Sequence, residues 1–163
     1  MTSSLNIIYI LSLNLVILVE AMATLAKSYP ITPPAILSGS VYLFTTDSGL
    51  EYEVRFARKK NNLLHCTIAF GVLNEEYEGE EYIVVNKGEV FRVMATIVSI
   101  VQKYISEHPN IRSFEYSGEP TGKEIDNRPS KRMNLYDRYL LQIFGPTWSF
   151  KRKGNKMIIT RLV

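Results

Sequence analysis

The segment from Leu50 to Ala57 alternates between apolar and charged residues, and this pattern restricts the possible folds more than any other part of the chain. Tyr52, Val54 and Phe56 would share one face of an extended strand, while charged side chains occupy the other face. A period of two residues is typical of a β-strand with one buried and one solvated face. The alternation therefore predicts a sheet with a single apolar side.

Three further segments have the composition of strands, at residues 40–46, 63–73 and 82–85. Turn-forming residues separate the first three strands, at 47–49 and 59–62. Short turns of this kind join antiparallel neighbours. The sequence therefore predicts an antiparallel meander of about four strands with one solvated face, and an acidic loop before the last strand.

The first predicted helix follows directly. Asn86 and Glu89 have the spacing of a capping box, which predicts that the helix begins at Asn86. A wide apolar stripe continues to residue 105, and Pro109 is expected to end the helix. The predicted solvent side carries Arg92, Thr96, Ser99, Lys103 and Glu107.

The rest of the chain predicts a strand at 111–116, a turn-rich loop to residue 129, one helix over 130–144 and a terminal β-hairpin. The helix is expected to end at Gly145, which precedes a proline. Residues 29–163 are therefore predicted to be a single α+β domain, with its helices packed on one mixed sheet.

Residues 1–28 form a separate apolar segment in which the run from Leu5 to Val19 has only three polar residues. That run is shorter than the roughly 20 residues of a transmembrane helix, so no transmembrane span is predicted. Three interpretations stay open: an extension of the chain, a helix packed on the domain, or a signal peptide over residues 1–23.

A single cysteine, Cys66, excludes an internal disulfide and indicates a reducing compartment, so a cytoplasmic location is predicted. Its apolar neighbours indicate that it is a buried small residue rather than a reactive thiol. His65 and His108 stand far apart in the chain, with no second ligand at metal-binding spacing. Neither a metal site nor a cofactor is predicted.

Positive charge is concentrated near the C-terminus. Residues 123–163 carry ten Lys and Arg against three Asp and Glu, a net charge of +7, within a chain whose net charge is +3. Such an end could attract a polyanion or the acidic body of a second copy, or it could serve solubility alone.

Four residues on and near the second predicted helix are candidates for binding an anionic ligand: Arg128, Arg132, Tyr136 and Arg138. Arginine offers a planar fork of donors that suits phosphate or carboxylate, and Arg132 lies one helical turn from Tyr136. The alternative is a solvated helix face on which Arg132 pairs with an acidic neighbour such as Glu124 or Asp137.

The terminal hairpin supplies the candidates for binding nucleic acid, which are Trp148, Lys151, Arg152 and Lys153. Trp148 shares a strand face with Phe150, and Lys151 and Lys153 lie on the opposite face. Aromatic side chains beside cations are typical of proteins that bind single strands. In the alternative interpretation the aromatics belong to the core and the cations serve solubility.

Two resemblances accompany this order of elements. Asn86 to Glu89, the helix after them, Pro109 and the sequence Arg132-x-x-Leu135-Tyr136 resemble a family of small uncharacterised proteins common in Bacteroidetes. Residues 68–71 also fit this family, and the similarity extends over most of residues 40–145. It implies a fold and no activity.

Residues 82–163 resemble the C-terminal half of the GNAT acyltransferases, in which strand, helix, strand, helix and two strands follow one another. The resemblance implies a GNAT-like topology and places Tyr136 where these enzymes often hold a tyrosine that protonates the thiolate of coenzyme A. The segment that would bind the cofactor's pyrophosphate has a single glycine, Gly88, and an acidic residue, Glu89. Acetyl-coenzyme A is therefore not expected to bind.

The leading functional prediction is a non-enzymatic binding or interaction module that binds a protein partner or associates with itself. The alternatives are an acyltransferase with a degenerate cofactor loop, in which Tyr136 would be catalytic, and a nucleic-acid-binding protein that uses its basic C-terminal hairpin. No catalytic residue is assigned outside the acyltransferase alternative.

Overall fold

A single mixed sheet of six strands carries helices on one face. The computed structural model describes residues 27–36, 38–73, 89–118 and 131–162. The strands are β1 (Val41–Thr45), β2 (Glu51–Lys59), β3 (Asn62–Val72), β4 (Ser113–Ser117), β5 (Trp148–Lys153) and β6 (Lys156–Arg161). The helices are α1 (Val90–Glu107), α2 (Lys131–Asp137) and α3 (Leu140–Phe144).

The strand order across the sheet is β1-β2-β3-β4-β6-β5. β3 and β4 are parallel and are joined through α1, whereas every other neighbouring pair is antiparallel. The predicted α+β class with one mixed sheet is thus confirmed. The meander has three strands in the described residues, and the fourth predicted strand, at 82–85, lies outside them, as does most of the predicted segment 1–28.

The alternation that predicted β2 is confirmed. Tyr52, Val54 and Phe56 are each at most 2% exposed and belong to the core between sheet and helices. Glu51 and Arg55, on the other face, are exposed. The helices pack against the apolar face, because only that side of the strands offers a surface they can bury.

Aromatic contacts connect the two halves of the sheet through α1. The ring of Tyr104 stacks on Phe56 of β2, with ring centroids 3.8 Å apart, and meets Phe114 of β4 edge-on at 6.4 Å. Cys66, predicted to be a buried small residue, is fully buried beneath this helix, and its thiol lies 3.8 Å from the Tyr104 hydroxyl. Burial raises the pKa of the Cys66 thiol, as expected of an unreactive cysteine.

The first helix begins later than the capping-box spacing predicted. Val90 is its first residue and Glu89 precedes it, so the prediction of a start at Asn86 was wrong in register, and Asn86 itself lies outside the described residues. The Glu89 carboxylate accepts hydrogen bonds from the backbone N–H and hydroxyl of Ser48, in the β1–β2 turn. The Glu89 side chain, which would have completed the capping box, is thus hydrogen-bonded to Ser48, a residue distant in sequence.

The predicted single helix over 130–144 is divided into α2 and α3. The N–H groups of Arg138 and Tyr139 donate to carbonyls three residues back, at Leu135 and Tyr136, which tightens the chain into a turn between the two helices. Tyr136, Tyr139 and Leu140 are all buried, so the apolar spacing passes through the break unchanged. The pattern of apolar residues alone therefore could not reveal it.

The prediction that Thr96 faces solvent was wrong, because the side chain is fully buried. Lys27 and Tyr29 lie beside this face of α1, and the N–H of Tyr29 donates to Thr96 Oγ1 at 2.8 Å. Thr96 in turn donates to the carbonyl of Arg92 at 2.8 Å. The hydroxyl thus satisfies a buried backbone donor from a segment distant in sequence.

Replacing Thr96 by Val keeps the shape of the side chain but leaves the Tyr29 N–H without its acceptor. We expect Thr96→Val to lower the free energy of unfolding by about 1–3 kcal/mol, the cost of an unpaired buried donor. Urea denaturation measures this change. Ser99→Ala is the matched control, because Ser99 makes the same bond to the carbonyl four residues back, and no backbone donor from the described part of the chain reaches its hydroxyl. Equal losses in the two variants would contradict the assignment.

Candidate functional site

The boundary between the two parallel strands is short. Three residue pairs are in register between β3 and β4: His65 with Ser113, Cys66 with Phe114 and Thr67 with Glu115. β3 then continues to Val72 and β4 to Ser117, with no further registered pair among these described residues. Parallel strands end at the same edge of a sheet, and ligands of open sheets containing them commonly bind at that edge.

An apolar pocket lies on the helical side of the sheet, at the opening where the pairing of β3 with β4 ends. It is lined by Ile68, Phe70, Met94, Ile97, Val101, Tyr116, Tyr136, Leu140, Ile143 and Phe144. Its volume of about 30 Å³ is that of roughly one water molecule. A larger shallow groove of about 380 Å³ lies at the outer edge of the sheet, between Pro30, Leu43 and Leu73, far from Tyr136 in the strand order.

Tyr136 lies in this pocket, where its ring contacts both parallel strands. Its centroid is 4.5 Å from that of Phe70 on β3 and 5.8 Å from that of Tyr116 on β4. Tyr116 donates from its hydroxyl to Asp137 Oδ1 at 2.8 Å, and burial raises the pKa of Tyr116 above its usual range. The bond connects α2 to β4 and thereby fixes Tyr136 at the opening.

The arginine candidates do not converge on Tyr136 within the described residues. Arg128 and the side chain of Arg132 lie outside them. Arg138 is exposed at the break between α2 and α3 and does not line the pocket. Asp137, a suggested partner of Arg132, forms an ion pair with Arg152 from β5.

The hairpin candidates are divided between the two faces of β5. Trp148 is 6% exposed and packs against Phe114 and Phe144, with the guanidinium of Arg161 over its ring at 4.8 Å. Arg152 points to the same side, toward Asp137. Lys151 and Lys153 are exposed on the opposite side. Trp148 is therefore a core residue and is not presented for base stacking.

The start of α1, where a pyrophosphate would have to bind, is occupied by a carboxylate. Glu89 accepts from Ser48 Oγ at 2.6 Å and from the Tyr29 hydroxyl at 3.3 Å. Burial alone would raise the pKa of Glu89, but these hydrogen bonds outweigh it and hold the pKa below its ordinary value. The group is therefore anionic at neutral pH and repels a phosphate.

The opposite face of the β3–β4 boundary carries a polar cluster that sequence reasoning missed. Glu115 of β4 is 8% exposed, although the helices lie on the other side of its strand. Its carboxylate lies 3.0 Å from Lys59 Nζ, 3.0 Å from His65 Nε2 and 3.6 Å from Lys156 Nζ. One carboxylate thus joins β2, β3, β4 and β6.

His65 connects this carboxylate to a hydroxyl. Its Nδ1 lies 2.6 Å from Ser113 Oγ, while its Nε2 faces Glu115 without the alignment of a full hydrogen bond. A bare Nε2 would place a lone pair against the carboxylate, so this nitrogen carries a proton, and in the neutral ring Nδ1 is then the acceptor for the serine hydroxyl. Ser113, His65 and Glu115 thus form a hydroxyl–imidazole–carboxylate chain.

Burial by itself would raise the pKa of Glu115. The contacts with Lys59 and His65 and the positive charge of Lys156 outweigh that effect, so the pKa lies below its ordinary value. The only local sequence signal was an acidic residue inside an apolar strand, between Phe114 and Tyr116. Its partners lie on three other strands, which no local pattern brings together.

The sequence matches no protein-family model and no curated protein at a significant level. None of the helices in the described ranges is long and apolar enough to cross a membrane. Among the same residues, no group of three or more His, Cys, Asp and Glu side chains is arranged to hold a metal ion. The site is therefore interpreted from its own geometry.

Ionised Glu115 should stabilise the fold in a pH-dependent way. Because its pKa is lower in the folded protein than in the unfolded chain, the contribution is present above its ordinary pKa of 4.5 and is lost as pH falls through the folded value. We expect the wild-type protein to be more stable than Glu115→Gln at neutral pH, with the difference shrinking as the pH falls below 4.5. Urea denaturation across pH measures it, and a constant difference would contradict the prediction.

Proposed function

We propose that the protein is a binding module whose ligand enters between β3 and β4 on the helical side of the sheet. The observation that carries this proposal is the end of the parallel pairing at Thr67 and Glu115, beyond which an apolar pocket opens beside Tyr136. Concave apolar sites with a few polar groups are the usual location of small ligands.

The lining selects the chemical class of the ligand. Ile68, Ile97 and Ile143 present only hydrocarbon, and the lining as a whole is almost entirely apolar. A ligand with a short apolar chain suits this surface better than a charged group, whose desolvation would go uncompensated. The resting pocket is small, so binding requires the ring of Phe70 or Tyr136 to move, which couples occupancy to the packing of α2.

A protein partner or a second copy is less well supported at the sheet edges. Thr32 forms a bridge with Leu43, exchanging both backbone hydrogen bonds on the outer side of β1. At the other edge, β5 carries Lys151 and Lys153, and charged edge strands discourage pairing with another strand. Strand addition at either edge would have to overcome these features.

An acyltransferase is the second candidate. The strand order, with the diverging parallel pair at its centre and β6 inserted between β4 and β5, supports the GNAT resemblance, as does Tyr136 at the opening. Two observations favour binding without transfer. Glu89 occupies the start of α1 where phosphates would bind, and the pocket has no room for an acyl-thioester arm.

Octanoate and acetyl-coenzyme A are suitable probes for the opening. We expect octanoate to shift the methyl NMR signals of Ile68, Ile97 and Ile143, because its chain enters the pocket that they line. Acetyl-coenzyme A should cause no comparable shift and no transfer of its acetyl group to amines.

Ile143→Phe fills the pocket and should weaken octanoate binding by about tenfold or more. Leu141→Phe is the matched control, since Leu141 lies on the same helix but is 68% exposed. Absence of octanoate shifts in the wild-type protein, or equal binding by the two variants, would reject the proposed site. Saturable binding of acetyl-coenzyme A with acetyl transfer would instead establish the acyltransferase.

A further inference from the structure

The open face of the β3–β4 boundary holds a serine in contact with a base. Ser113 lies directly across the parallel register from His65, which brings Ser113 Oγ and His65 Nδ1 to 2.6 Å. Glu115 follows Ser113 by two residues and therefore faces the same side, with Oε2 3.0 Å from His65 Nε2. Three side chains stand in the order hydroxyl, imidazole and carboxylate.

This arrangement has the parts of an activated nucleophile. The carboxylate favours the tautomer with its proton on Nε2, so Nδ1 can accept the proton of the serine hydroxyl as the oxygen attacks. When His65 becomes an imidazolium, Glu115 lies beside its new charge. The contacts with Lys59 and His65 and the charge of Lys156 favour the ionised form of this carboxylate.

Ser113 is more exposed than the histidine beside it. Ser113 is half-buried, with buried His65 on one neighbouring strand and exposed Thr160 opposite it on β6. His65 is 9% exposed, so the base is largely shielded from bulk water. With neutral His65, two ammonium groups and one carboxylate leave a local excess of one positive charge, which favours a centre that becomes negative during attack.

We propose that Ser113 is a nucleophile that forms a covalent bond with electrophilic acyl or phosphonyl donors, with His65 as general base and Glu115 as the positioning residue. With an activated ester, Ser113 Oγ bonds to the carbonyl carbon and its proton passes to His65 Nδ1. The ester C–O bond then breaks, and the alcohol leaves with that proton. This site lies on the face of the sheet opposite the proposed ligand pocket and is independent of it.

A fluorophosphonate probe tests the nucleophile directly. Ser113 Oγ bonds to phosphorus, the P–F bond breaks, fluoride leaves and His65 takes the hydroxyl proton. We expect intact protein to gain one probe per chain, with peptide mass spectrometry placing it on Ser113. His65→Gln and Glu115→Gln should label more slowly, by about a hundredfold for the base.

Ser113→Ala should abolish labelling, and Ser117→Ala should leave it unchanged, because Ser117 is an exposed serine four residues further along the same face of β4. Thermal unfolding of each variant, followed by circular dichroism, verifies that the fold is retained. An unlabelled wild-type protein, a probe found on another residue, or equal rates in wild type and folded His65→Gln would overturn the proposal. None of these results depends on whether octanoate binds.

Discussion

The three-residue parallel pairing of β3 with β4 is the constraint on which the rest of the structure depends. It is the sole parallel contact in the described sheet, and it joins the N-terminal meander to the C-terminal hairpin strands. A parallel connection needs a long crossover, and α1 supplies it. Tyr104 of that helix contacts Phe56 on one side of the boundary and Phe114 on the other. Because few backbone hydrogen bonds connect the two halves of the sheet, the packing of this helix helps to hold them together.

Both candidate sites follow from the register of this pairing. Alternation along the strands directs Cys66 and Phe114 to the helices, and His65 and Ser113 to the opposite face. A slip of one residue would exchange the faces, burying Glu115 under the helices. The apolar opening and the hydroxyl–imidazole–carboxylate chain thus lie on opposite faces of the same pair of strands and depend on the same register.

Local patterns predicted the elements well and their partners poorly. The alternation in β2 and the terminal hairpin were readable because each is formed by neighbours in sequence. The burial of Thr96 could not be predicted in this way, because the residue that packs over it, Tyr29, is far away in the chain. The contact of His65 with Ser113 could not be predicted for the same reason, since the periodicity of one strand does not indicate which residue of the neighbouring strand lies opposite.

Some of the C-terminal cations that give the segment its net charge are engaged in contacts with other elements. Arg152 is engaged with Asp137, and Lys156 with Glu115. Arg161 lies over Trp148 and donates to the carbonyl of Pro109. These three cations stabilise contacts between elements, whereas Arg138, Lys151 and Lys153 are exposed, so only part of the segment's positive charge is engaged in such contacts among the described residues. Glu89 at the start of α1 shows the same dependence on tertiary contacts, because its carboxylate is held by Ser48 from the β1–β2 turn and places a negative charge at that helix end.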